Sequence, residues 1–478
     1  MMPMNTPHVE LPESADMFEF VRRRESSART YANALGRVFV RGRGAHVADS
    51  DGQEYLDCLS CAGTLALGHN HPRVRDRVIE FLLSDQLLQA LDITTPAKSR
   101  FIEALFGVLP EAFAEHARIQ FCGPSGADAT EAVIKLMKTA TGRRSVLAFH
   151  GGYHGMTAGA LALTGNLTAK TEVASLMPDV HFLPYPHAYR CPFGTDGTDT
   201  TALSLAYIER VLSDPESGIV APAAIIVEAV QGEGGVIPAP AEWLRGLREL
   251  TERFGIPLVI DEIQTGFGRT GTMFAFEHAG IVPDAVLISK AIGGGFPMSA
   301  VLYHERYDRW KAGAHAGTFR GNQIAMAAGT ALLEVMRDER IVERVRERGA
   351  ELEAGLRELA ARFPAFGDVR GRGLMWGVEI VDPAGAADRA GRRPADGDAT
   401  RRLKRACLAR GLIVESGGRF GAVLRMLPPL TITADEIGEL LAKLGAACAD
   451  VWPTGESEAA GAAPAVASAA PALLAETQ

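Results

Sequence analysis

Two short apolar runs, each closing on a charge, constrain this chain more than any other feature. One is Pro257 to Ile260, running into Asp261 and Glu262; the other is Ala285 to Ser289, running into Lys290 and then Gly293, Gly294 and Gly295. Such β-branched stretches, apolar at almost every position rather than at every second one, read as strands buried on both faces of a parallel sheet. Ser145 to Phe149 and Ala224 to Glu228 have the same character, and amphipathic helical stretches separate these runs from about residue 75 to 330. That alternation implies βαβ units, hence an α/β large domain with a mostly parallel central sheet covered by helices.

The terminal charges have no structural reason to sit where they do. In open α/β sheets the carboxyl ends of strands are where ligands bind. A lysine there can form a Schiff base with a carbonyl. An aspartate there can hold a pyridinium nitrogen in its protonated, electron-withdrawing form. Together they suggest pyridoxal phosphate (PLP).

At 478 residues the chain is too long for one simple core. Residues 75–330 are expected to form the large, PLP-binding domain. Residues 331–452 read as a smaller α+β domain, with one long helix from Glu334 to Leu359 followed by short strands such as Gly373 to Ile380. Residues 1–74 form an N-terminal segment assigned to the small domain. In it, Val38 to Val40, Ala45 to Ala48 and Glu54 to Asp57 are separated by turn signals and read as a hairpin-like sheet. Residues 453–478, rich in Ala and Pro, are expected to be a disordered tail.

A net charge of −9 argues against nonspecific nucleic-acid binding. No apolar run reaches the roughly 18 residues that would span a bilayer, and Met1 to Asn5 lack a basic region followed by an apolar one. Six cysteines in so long a chain fit a reducing cytoplasm, the expected location. Cys58 and Cys61, with His69 and His71 nearby, match no common zinc spacing, so no metal is expected.

Several other segments could carry chemistry. Phe121 to Glu131 leads small residues into a helical stretch, Ala132 to Ala140, whose N-terminus offers free N–H groups to an anion; an ordinary helix capped by Ser125 or Asp128 would read the same way. Tyr153, in Phe149 to Gly155, sets an aromatic ring just past a strand, suited to stacking on a flat ring or to plain packing. Glu228 to Gly235 holds two carboxylates at another strand end. Gly266 to Gly271 matches the dinucleotide fingerprint by its letters, but it does not follow its strand directly and no acid stands at the end of the next strand. Arg372, between two glycines, and Arg425, in the apolar run Val423 to Leu430, each need a partner: a substrate carboxylate or a structural ion pair.

The order and spacing of these pieces resemble the class III, ω-amino-acid aminotransferases of PLP fold type I, over about Tyr55 to Leu430. The run Asp261 to Gly271, with Lys290 following, is the most specific part of the match. The resemblance implies that Lys290 carries the imine link and shuttles the proton, Asp261 pairs with the pyridine nitrogen and Gln264 lies by the ring hydroxyl. It further implies that Tyr153 stacks on the ring, that Gly126 and Ala127 offer amides to the phosphate, and that Thr318 reaches the phosphate of a second subunit in a homodimer. Arg425 would hold the carboxylate of 2-oxoglutarate or glutamate, and Glu233 would pair with Arg425 when the other substrate is bound.

Ala90 to Lys98, Phe182 to Gly194 (with Tyr189 and Arg190) and Gly317 to Asn322 are similar to 2,4-diaminobutyrate 4-aminotransferases. The implied reaction moves the terminal amino group of a diamino acid to 2-oxoglutarate. One departure is Cys61-Ala62-Gly63, where such enzymes usually carry Gly-Ala-Gly; a thiol there would narrow the pocket. Ornithine or 4-aminobutyrate as the amine, and a nicotinamide-dependent oxidoreductase built on the 266–271 glycines, are the competing readings.

Overall fold

The computed structural model describes residues 14–453. Its largest sheet has seven strands: β1 (Ala117–Phe121), β2 (Val146–Phe149), β3 (Val180–Leu183), β4 (Ala224–Glu228), β5 (Leu258–Asp261), β6 (Ala285–Ile288) and β7 (Ala300–His304). Their spatial order is β1-β7-β6-β5-β4-β2-β3. All run the same way except β7, which lies antiparallel between β6 and β1. The reason is the link between β6 and β7: it holds a single 3₁₀ turn, Lys290–Gly293, and is too short for a crossover helix.

Every residue of β2, β4, β5 and β6 is buried, as runs without alternation require. Asp261 stands in register with Glu228 on one side and Leu287 on the other, so three neighbouring strands end at one level. Helix α1 (Gly126–Thr141) starts with the Asp128 carboxylate reaching back to accept from the Ser125 amide and hydroxyl, at 2.9 and 2.7 Å. Its Ala129, Ala132, Val133, Leu136 and Met137 are buried at helical spacing, in one cluster with Val146, Val259 and Leu287. The helix is thereby fixed with its N-terminus at the carboxyl edge of the sheet.

The single helix expected over Glu334 to Leu359 is in fact two, α2 (Gln323–Asp338) and α3 (Ile341–Arg362). Arg340 adopts a left-handed backbone (φ +52°) between them. The burial patterns explain the break. Helix α2 is buried almost all round, whereas α3 buries one stripe of Ile341, Val345, Leu352, Leu356 and Leu359 and must turn to do so.

Two smaller sheets complete the frame. Phe39–Arg43, His46–Asp49 and Glu54–Asp57 form the antiparallel ribbon read from the turn signals, but the last of these also pairs in parallel with Leu412–Ile413. Phe366–Arg372, Met375–Ile380, Val423–Met426 and Glu415–Gly417 make an antiparallel sheet that carries Arg425. The tail expected beyond Pro453 lies outside the described residues.

Candidate active site

The carboxyl ends of β4, β5 and β6 open on a cavity of about 480 Å³. Gly126, Ala127, Tyr153, Glu233, Asp261, Gln264 and Lys290 all line it, although they come from five separate stretches of chain. Arg425 stands behind Glu233. Thr318 does not line the cavity of its own chain: it is exposed at the start of the turn Thr318–Gly321.

Lys290 follows β6 with a left-handed backbone (φ +48°), a conformation that costs an ordinary residue about 1–2 kcal/mol. Its neighbours hold it there. Ser289 Oγ donates to the Met298 carbonyl at 2.9 Å. Gly294, also left-handed, lies so close to Ala328 that a Cβ would come within 2.8 Å of its backbone. Burial pushes the Lys290 amine below its usual basicity, partly opposed by the charges of Asp261, Glu233 and Glu228.

Asp261 is clamped on both oxygens: Ile263 N donates to Oδ1 at 3.0 Å, and His154 Nδ1 lies 2.7 Å from Oδ2. Burial alone would lower the basicity of His154, but the hydrogen bond and charge of Asp261 outweigh it and leave the imidazole raised. Glu228 is buried alongside and is pushed up to about 7 by that burial, against the charge of His154 and the amides of Gly232 and Tyr153. Those amides donate at 3.0 and 2.9 Å, so Glu228 fixes both the Tyr153 backbone and the loop that leads to Glu233. The pairing of His154 with Asp261 is not readable from sequence, because the two lie 107 positions apart; Glu228 reads there only as a strand-end carboxylate, its hold on Tyr153 spanning 75 positions.

Glu233 and Arg425 form a bidentate pair at 2.7 and 2.9 Å, with Arg425 only 2% exposed. The second arginine considered, Arg372, lies away from the cavity; its nearest acceptor is the Ala239 carbonyl at 3.5 Å. Cys61 is exposed and does not narrow the cavity; Thr64 lines it, and the Ala62 carbonyl accepts from Gln264 Nε2 at 3.2 Å. The glycines of 266–271 open no helix. Arg269 among them is buried and donates to the carbonyls of Leu374 and Pro428 at 2.9 and 2.5 Å, tying this loop to the C-terminal part.

The marker segments also acquire a physical role. Ala90 to Asp92 packs on Gly317 to Gln323 through the Ala90 N–H on the Gly321 carbonyl (3.1 Å) and the Arg320–Asp92 ion pair (2.5 Å). Arg190, stacked on Tyr189, pairs with Glu379 at 2.7 Å and so fastens Phe182–Gly194 to the sheet that carries Arg425.

This architecture and site are those of a known class of enzymes. The class-III aminotransferase family profile matches residues 26–448, and the chain belongs to that family. It is 54% identical over 425 residues to the diaminobutyrate–2-oxoglutarate aminotransferase of Rhizobium meliloti strain 1021, covering 89% of this chain and 90% of the relative. It is 49% identical over 417 residues to the enzyme of the same name from Haemophilus influenzae, covering 87% and 91%. Among solved structures, a PLP-bound amine transaminase from an uncultivated Pseudomonas species superposes with a TM-score of 0.79 at 30% identity, over 90% of this chain and 98% of that one.

The cofactor of this family is PLP, and the residues present fit it. The first amides of α1 have no carbonyl a turn behind them and face the cavity. A Cβ at Gly126 would meet Ile263 Cδ1 at 2.8 Å, so the cradle needs glycine there. Gln264 Oε1 is buried without a partner, an acceptor left for a hydroxyl. Asp261 and Lys290 both line the space.

Proposed function

We propose that this chain exchanges the terminal amino group of L-2,4-diaminobutyrate with 2-oxoglutarate, giving L-aspartate 4-semialdehyde and glutamate. The Glu233–Arg425 pair beside the Lys290 cavity carries the reading. One pocket must accept a terminal amine in one half-reaction and an α-amino acid in the other. A buried arginine left bare in either half would be costly. Glu233, 35% exposed at its side chain, can cover Arg425 while the amine end of the diamino acid is bound, then withdraw for the carboxylate of 2-oxoglutarate.

When bound, PLP supplies an aldehyde for exchange with amines and a ring that takes up an electron pair. Lys290 Nζ, its basicity lowered by burial, takes the proton from the amine-bearing carbon and returns it one position away. Asp261, braced by His154, would keep a proton on the ring nitrogen. Gln264 would accept from the ring hydroxyl, Tyr153 would pack beside the ring, and Gly126 and Ala127 would bind the phosphate through backbone amides. Across both half-reactions one water is consumed and one released, so the net change is amino group for carbonyl oxygen.

Thr318 would complete the phosphate site of a second copy. Exposed Leu87, Leu88, Leu91, Ile93 and Phe319 cluster around its turn, a patch that pairing into a homodimer would cover. We read the dimer as cytoplasmic: its cysteines are free, and among the described residues no helix is long and apolar enough to cross a membrane. The test is an amine-donor screen with 2-oxoglutarate, using diaminobutyrate labelled with ¹⁵N at one position at a time. Label passing to glutamate from the 4-position alone is expected. Transfer from the 2-position, or faster turnover of ornithine or 4-aminobutyrate, would overturn the assignment.

A further inference from the structure

Arg425 faces two carboxylates and bonds only one. Besides Glu233, its direct cross-strand partner in the antiparallel pair is Glu415. Directly opposed residues on such strands bring their Cβ atoms within about 5 Å on one face. Glu415 is buried, its charge acts on Arg425, and Arg425 Nε is buried with no partner at all. Gly417, two residues on along the same strand, leaves space beside that nitrogen, since a Cβ there would stand 2.7 Å from it. The Glu415 carboxylate is instead held elsewhere: Glu415 Oε1 accepts from Lys404 Nζ and from the Ser416 amide at 2.7 Å.

Lys404 comes from the helix Gly397–Ala409 and also borders a second cavity of about 330 Å³, which it shares with Asn33, Arg401 and Arg405. The charges therefore alternate in a row: Glu233, Arg425, Glu415, Lys404. The two ends of the row differ in kind. Glu233 sits on a loop at the cavity and can move. Glu415 is built into a strand and cannot leave.

We propose that Lys404 is a positioning residue that holds Glu415 away from Arg425, so that the guanidinium is free for a dicarboxylic substrate once Glu233 withdraws. The inference rests on the reading of Arg425 as the carboxylate anchor. Without Lys404, Glu415 becomes a standing partner of Arg425, and the substrate carboxylate has to displace it. The terminal-amine half-reaction, in which Arg425 is already covered, does not encounter that competition.

The two half-reactions of the PLP-loaded enzyme, followed separately in single turnover, test this. Lys404→Met is expected to raise the half-saturating concentrations of 2-oxoglutarate and glutamate roughly tenfold, while that of diaminobutyrate stays within about twofold. Adding Glu415→Gln to it should restore the 2-oxoglutarate value, and Lys404→Arg should never lose it. Equal weakening of both half-reactions, no weakening, or no rescue by Glu415→Gln overturns the proposal. Should Lys404→Met fail to fold, the same prediction is read from Lys404→Gln with and without Glu415→Gln. Arg425→Lys separates the two layers. If it leaves 2-oxoglutarate binding unchanged, the anchor reading itself falls; if it weakens binding while Lys404→Met does not, only the role of Lys404 falls.

Discussion

His154 and Asp261 sit 2.7 Å apart, imidazole Nδ1 to carboxylate Oδ2, with side chains only 1% and 4% exposed. The raised basicity of His154 sets the sign of its pH effect. A base whose folded value lies above its unfolded one stabilises fully below the unfolded value, near 6.5, and loses that contribution as pH rises through the folded value. PLP should therefore be released faster on the alkaline side. His154→Gln should weaken PLP binding roughly tenfold and flatten that alkaline rise. Cofactor absorbance after dialysis at a series of pH values reads both; unchanged retention would refute the role.

Glu233 should matter to one half-reaction more than the other. Glu233→Ala leaves Arg425 bare while the diamino acid is bound, and so should slow that half-reaction by at least about tenfold, with a smaller effect on the glutamate half. Equal losses in single-turnover measurements would argue against a mobile cover.

Thr318 is expected to act on the other subunit. Thr318→Asp, which sets a negative charge against the phosphate, should cripple the enzyme alone, as should Lys290→Ala. Mixed dimers of the two variants would hold one site with both native residues and regain about half the activity per dimer. No regain would mean that Thr318 serves its own chain or none.

Glu262 offers a stability test away from the cofactor. It is fully buried, accepts from Thr265 Oγ1 at 2.5 Å and Phe276 N at 2.9 Å, and burial pushes it up to about 7. Between about pH 4.5 and 7 the folded state then binds a proton that the unfolded chain has lost, so stability falls as pH rises through this window. One such group is worth on the order of 3 kcal/mol over the window. Glu262→Gln should remove that part of the slope in denaturant titrations at pH 5, 6 and 7.

Arg269 is a buried cation held by two carbonyls and, among the described residues, paired with no carboxylate. Arg269→Met should cost about 2–4 kcal/mol, because the carbonyls of Leu374 and Pro428 lose their donor. A shift below about 1 kcal/mol in the denaturant midpoint would show that water replaces the guanidinium.

What was legible in the sequence is what local pattern controls. Unbroken apolar runs named β2, β4, β5 and β6, and their closing charges marked the carboxyl edge of the sheet before any contact was known. The turn at Arg340 was not legible, because arginine carries no signal for a left-handed backbone and both flanking stretches are good helix formers. His154 and Arg269 escaped for another reason. Their partners lie far off in sequence, and residue type alone does not tell a histidine that braces a carboxylate from one that fills space. Glu233 and Arg425 were paired by likeness to a family; their geometry alone required coordinates.

The parallel pairing of Glu54–Asp57 with Leu412–Ile413 has a consequence for biogenesis. As the ribosome delivers this protein, the early ribbon waits with one edge unpaired until residue 413 has been made. Such an edge is sticky in the interval. Closure of that seam therefore follows the ribbon by a long stretch of synthesis, and the nascent chain should depend on chaperone shielding until Leu412–Ile413 has left the exit tunnel.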